Sequence, residues 1–167
     1  MELKVKANTL QATRFLKKIS RKQSIAAMRG LNRVSNMAVQ MITTRTQSGK
    51  LPDGKTMEPY TKATKKARKK AGRQIGFVDL TDTGKMFRSL DFKQQGLKNT
   101  LFFSNIERAK IAAQHDFFGV GKRNTKRPFF SIGRDEEEKL KNEFAQFYFR
   151  EIGLWVKEKI LQMTLFQ

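Results

Sequence analysis

The sequence predicts an α+β domain: a small, mainly antiparallel sheet flanked by a long N-terminal helix and a C-terminal helix. Three observations carry that expectation. Apolar residues recur at helical spacing over residues 9–47 and again over 135–152. The segments 1–7, 90–95, 100–105 and 128–132 instead read as extended or period-two stretches, the expected strands. Turn residues such as Pro52-Asp53-Gly54 separate the two kinds of pattern. A chain of 167 residues suits one domain, residues 1–167, with a basic loop or arm at about 50–78.

In "MELKVKA", Leu3, Val5 and Ala7 share one face and Glu2, Lys4 and Lys6 the other, the pattern of a half-buried strand. Asn8 or Thr9 then caps a helix, with Gln11 placed as a capping-box partner for Asn8. Phe15, Leu16 and Ile19 begin an apolar stripe, and Met28, Leu31, Val34, Met37, Ala38 and Met41 continue one. Gly30 and the polar "SRKQS" leave open whether the helix runs in one piece or two. A helix over 9–47 is too long to bury its whole stripe on a small domain. Met28, Leu31, Val34, Met37 and Met41 are therefore expected to face another subunit in part.

"TKATKKARKKAGRQ" carries seven Lys or Arg and no acid, and reads as a short helix closed by Gly72 or as a mobile arm. Its charges repel and its apolar anchors are few, so poor order is expected. In "LTDTGKMFRSL", Thr81 or Asp82 is placed to cap a short helix, with Leu80, Met86, Phe87 and Leu90 inward. "LDFKQQ" and "TLFFSN" read as strands around "GLKN". "IERAKIAAQHDFFG" is a short helix running into an aromatic turn, "VGKRNTKR" a basic loop, and "RPFFSI" a strand or extended piece. The acids Asp135 to Glu138 favour a helix start. Leu140, Phe144, Phe147, Tyr148, Ile152 and Trp155 follow at helical spacing, with Gly153 as a candidate interruption.

The chain holds 35 basic and 15 acidic residues, a net charge of +20. Such a balance points to nucleic acid or an acidic protein surface as partner. Residues 135–167 are the one slightly acidic stretch, which disfavours that helix as a phosphate contact. There is no Cys, so no disulfide framework, and a reducing compartment is compatible with the composition. "MELKVKAN" lacks the apolar run of a signal peptide, and no apolar run is long enough to span a membrane, so no membrane partner is expected.

No catalytic constellation is visible, and no enzyme, metal or cofactor is expected. The lone His115 has no sequence partner for catalysis and reads as a structural hydrogen-bonding residue. Asp79, Asp82 and Asp91 are spaced through turns as conceivable cation ligands, although Asp82 is better read as a cap. Gly119, Gly121 and Lys122 lack the strand and ending of a phosphate loop. The basic run reads plainly as a solvated arm. Its functional reading is contact with nucleic acid or an acidic partner through Lys62, Lys65, Lys66, Arg68, Lys69, Lys70 and Arg73. No aromatics interleave with these residues, so sequence-blind neutralisation is favoured over base stacking.

The order of motifs resembles the phage virion morphogenesis proteins of the Mu type, also called tail completion proteins, which are related to the neck proteins of long-tailed phages. That family tends to show a long N-terminal helix and a "PDG…P" loop, here Pro52, Asp53, Gly54 and Pro59. The usual aromatic of that loop is not obvious, with Met57 near its place. After a basic stretch comes "L-x-D-T-G-x-L-x-x-S-L", here Leu80, Asp82, Thr83, Gly84, Met86, Ser89 and Leu90, with Met86 replacing the usual Leu. An "A-x-x-H-x-F-G" type turn is similar to Ala112, His115, Phe118 and Gly119, with Asp116 and an additional Phe as departures. Arg127, Pro128, Phe129 and "RDEEE" end the series, which covers roughly residues 28–150.

The resemblance implies a structural virion protein, with "LTDTGKMFRSL" as a connector rather than a site of chemistry. It implies a homo-oligomeric ring, a hexamer by analogy, joining head connector and tail terminator at the head–tail junction of the virion. Such a ring would be assembled in the host cytoplasm, with packaged DNA passing through its channel. The alternative class is a basic nucleic-acid-binding accessory protein.

Overall fold

The computed structural model describes residues 9–121 and 123–164. The expected strand on Leu3, Val5 and Ala7 and the Asn8 cap lie outside the described residues. Helix α1 spans Thr9–Gln47, α2 Lys62–Lys70 and α3 Lys85–Arg88. Strands β1 (Leu90–Gln95) and β2 (Lys98–Phe103) follow. Helix α4 (Ile106–Ala113) runs into a π-helical turn, Gln114–Phe118, and α5 spans Arg134–Thr164. The fold is α+β, with two long helices flanking one antiparallel hairpin.

Helix α1 is one continuous helix of 39 residues, about 58 Å long. Gly30 does not break it. An added Cβ there would lie 2.9 Å from the Phe144 ring, so α5 approaches α1 closely at Gly30. The two helices run antiparallel, as Arg29 pairs with Glu151, Arg33 with Glu143 and Arg45 with Glu136. Three acids of α5, Glu136, Glu143 and Glu151, are thus spent on α1 cations. Phe15 stacks on Trp155 at the far end, with ring centroids 6.4 Å apart. Helix α5 also passes Gly153 without interruption.

The stripe that α1 buries consists mostly of small residues: Ala26, Gly30, Ser35, Ala38, Ile42 and Thr46. The larger Met28, Leu31, Val34, Met37 and Met41 are all half-buried. Small side chains let the backbones of α1, α5 and the hairpin come close, and the hairpin adds polar ties. Gln94 donates to Met28 O (3.2 Å) and accepts from Asn32 (3.1 Å), while Asn99 donates to Ser35 Oγ (2.8 Å).

The hairpin pairs Leu90 with Phe103 through Gln95 with Lys98, around Gly96 at φ 60°. The second strand starts earlier than "TLFFSN" suggested, because the tight turn needs only Gly96 and Leu97. Residues 128–132 do not form a strand, contrary to the period-two reading. Side chains take the backbone groups that a ladder would use. Asp116 Oδ1 accepts from Phe129 N (2.7 Å) and Phe130 N (2.8 Å). Arg45 donates to Phe129 O (2.6 Å) and Ser131 O (2.8 Å).

This pinned segment delivers Phe129 to the core, where it is fully buried against Phe87, edge to face at 5.9 Å. Ile42, Met57, Val78, Met86, Leu90 and Ala112 complete the cluster. Burying a Phe side chain contributes about 2–3 kcal/mol. Met57 is 2% exposed, so it does occupy an inward position in the "PDG" loop.

Candidate functional site

The basic run takes the helical of its two expected forms, as α2. Thr61 caps α2, accepting from Thr64 N at 3.2 Å, and Gly72 at φ 66° follows its end. Apolar anchors are indeed few, but one buried ion pair replaces them. Arg68 donates through one nitrogen to both oxygens of Asp79, each at 3.0 Å. It also donates to Gln74 O (2.9 Å) and Thr81 O (3.0 Å). Its guanidinium lies over the Tyr60 ring, 4.6 Å from the centroid. Tyr60 Oη donates to Asp79 Oδ1 at 3.0 Å, and burial together with Asp79 holds its phenol above the usual range.

Arg68 is therefore withdrawn from any partner, which corrects its place among the contact residues. A guanidinium with five donors can satisfy a carboxylate and two carbonyls at once, which Lys cannot. Arg73 is spent too, in an ion pair with Asp82. The cations that α2 still presents are Lys62, Lys66, Lys69 and Lys70, with Lys65 half-buried.

The opening turn of "LTDTGKMFRSL" also differs from the cap reading. Neither Thr81 nor Asp82 caps α3, which begins after Gly84 in a left-handed conformation (φ 70°) without a side-chain cap. Thr81 N instead donates to Asp79 Oδ1 at 3.0 Å, closing a tight turn through Leu80 at φ 48°. Thr83 O accepts from Arg88 at 2.9 Å. Leu80 packs on the core that Leu90 helps to form. From this stretch Met86, Phe87 and Leu90 enter the core.

The second constellation surrounds His115 and Arg127. Arg127 N donates to His115 O at 2.7 Å, tying the π-helical turn to the loop before Phe129. Pro128 between them is exposed. Arg127 is 7% exposed, makes one long bond to Glu58 O (3.4 Å), and has no partner for its Nε. His115 Nδ1 is likewise buried and unpartnered. Both line a cleft of about 590 Å³ between residues 58–64 and Val120, Gly121, Arg123 and Thr125. On its other side His115 faces a smaller hollow with Asp82, Lys85 and Arg108.

Burial first, and then the Arg127 charge, push the His115 imidazole below its ordinary pKa. A lowered folded pKa means the unfolded chain binds the proton more readily. The contribution of His115 is fully present above about pH 6.5 and is lost as pH falls through that value towards the lowered one. Urea midpoints measured between pH 7.5 and 5.5 are expected to fall more for the native chain than for His115→Gln. Equal falls would show that His115 titrates normally.

Sequence reasoning noted Asp116 only as a departure from the family's turn and did not single out Tyr60 or Arg45. Asp116 is buried beneath the aromatic turn as an acceptor for backbone N–H groups. The available signal was an acid lodged in an otherwise aromatic "QHDFFG". The conceivable cation ligands are dispersed: Asp79 serves Arg68, Asp82 serves Arg73, and Asp91 accepts from Phe92 N at 2.8 Å. Among the described residues no cluster of potential ligands is placed to hold a metal ion. No helix among them is long and apolar enough to cross a membrane.

Fold and site thus define an α+β domain with a pinned basic helix and an adjacent cleft holding a buried arginine without an ion pair among the described residues. No family model, curated protein or solved structure matches the chain.

Proposed function

We propose that this protein is a non-enzymatic structural component of a phage virion, a neck or tail completion protein that forms a homo-oligomeric ring at the head–tail junction. The motif order described above motivates the reading. Its motif positions are spent on folding: Met57, Met86, Leu90 and Phe129 on the core, and Asp82 on Arg73.

The observation that carries the assembly part is apolar surface on the paired long helices. Leu16 is 63% exposed, Phe149 69% and Leu154 55%. Large side chains on helices already packed against each other call for a further partner, and a second copy offers the same surface. Met28, Leu31, Val34, Met37 and Met41, half-buried within the chain, add the rest of their area to such a contact. Phe149→Glu combined with Leu154→Glu is expected to leave a folded monomer that no longer assembles. Mass photometry without nucleic acid reads this directly. Persistence of the native oligomer would rule this surface out as the interface.

The exposed lysines of α2 favour a second reading, a nucleic-acid-binding accessory. Neutralising about five phosphates gives a log–log salt slope of roughly −4 to −5. A channel that DNA must leave quickly should not grip phosphate so firmly, which favours an acidic neighbour in the virion. Changing Lys65, Lys66, Lys69 and Lys70 to Gln is expected to alter stability by about 0.5 kcal/mol or less, because none of these lysines forms an ion pair among the described residues. Lost assembly without DNA supports the protein neighbour, and loss of salt-sensitive DNA binding alone supports the accessory.

A further inference from the structure

We propose that the cleft between residues 58–64 and Val120, Gly121, Arg123, Thr125 and Arg127 is a docking site for a carboxylate side chain on an acidic segment of a partner protein. The inference stands whether or not the ring reading holds. It begins with Arg127. An arginine that is only 7% exposed usually faces a carboxylate; Glu58 acts on its charge without forming an ion pair, and no carboxylate lies within ion-pair distance among the described residues. Its Nε is unpartnered, and its one hydrogen bond is a long one to a carbonyl.

Other features of the cleft point the same way. Arg123 is exposed at the rim, and Thr61, Ala63 and Thr64 bring the first turn of α2 to the wall. Helix N-termini favour anions because their first N–H groups have no intrahelical partner. His115 also lines the cleft, although its unpartnered Nδ1 is buried. Glu58 is the one acid on the wall, and it is exposed. It would compete with an incoming carboxylate.

The walls select protein over nucleic acid. Pro59, Tyr60, Ala63 and Val120 give the cleft an apolar lining. One face of the Tyr60 ring is already covered by Arg68, which leaves at most the other face for a stacked base. A carboxylate flanked by apolar side chains matches such a lining, and planar carboxylates pair with guanidinium groups in fork geometry. The α2 lysines beside the cleft would draw acidic segments towards it.

The test uses the full chain and its single histidine as reporter. Proton NMR of the His115 ring is followed during titration with the peptide acetyl-Leu-Glu-Leu-Glu-amide, its Gln counterpart, inorganic phosphate and a short oligothymidylate. The acidic peptide is expected to shift the resonance saturably, and the Gln peptide to leave it unmoved. Arg127→Met should weaken binding about tenfold or more, and Arg123→Gln about threefold. Glu58→Gln should tighten binding, an outcome that a merely structural cleft would not produce. If Arg127→Met does not fold, Arg123→Gln and Glu58→Gln decide the matter. No saturable shift, an equal response to the Gln peptide, or a shift with phosphate or oligothymidylate alone would overturn the proposal.

Discussion

Asp79→Ala is expected to lower the unfolding free energy by about 3–5 kcal/mol, a large part of the stability of a domain this size. The carboxylate holds three donors at once: the Arg68 guanidinium, the Tyr60 hydroxyl and Thr81 N. Its removal leaves a buried cation facing no charge, and a phenol and an amide without acceptors. The tight turn at Leu80 loses its closing bond as well. Urea unfolding followed by circular dichroism gives the magnitude. Arg68→Met on its own should also destabilise. The double variant should cost clearly less than the sum, because an apolar pair no longer strands a charge. Additive effects would show that the two residues do not act as a pair. The same experiment separates anchor from contact. Asp79→Ala should unseat α2, whereas loss of the exposed lysines should leave it in place.

Gly133→Ala is expected to cost about 3 kcal/mol, for a steric reason. A Cβ at that position would sit 2.2 Å from the carbonyl oxygen of Pro52, and a backbone atom cannot swing aside as a side chain can. Gly133 lies where the Pro52-Asp53-Gly54 turn meets the start of α5, and its N–H donates to Glu136 at 2.9 Å. Glu136 in turn pairs with Arg45, so displacing Gly133 disturbs the joint between α1, the turn and α5. Gly54→Ala is the control. Its φ of +81° costs about 1 kcal/mol for a residue with a Cβ, but nothing stands within 4 Å of the added atom. Similar losses for the two variants would show that the close approach to Pro52 is not what matters at 133.

Local patterning was enough for the elements whose forces are local. Helical spacing placed α1 over residues 9–47 but left open whether it ran in one piece, and the acid-rich start placed the beginning of α5. Alternation together with Gly96 placed the first strand of the hairpin. Composition set the charge and the basic character of α2. What depends on distant partners was not legible. Residues 128–132 carry a strand's pattern, but Asp116 and Arg45 take up their backbone groups from other parts of the chain. Arg68 looks like its neighbours in "KKARKK", and only the position of Asp79 turns it inward. The pairing of Asp82 with Arg73 removed it as a cap. Gly30 reads as a helix breaker until Phe144 is seen to pack against it. Periodicity reports what each residue offers to one face of its own element. Which long-range partner claims a buried charge or a bare backbone group is decided only when the elements meet, because desolvation makes that pairing compulsory.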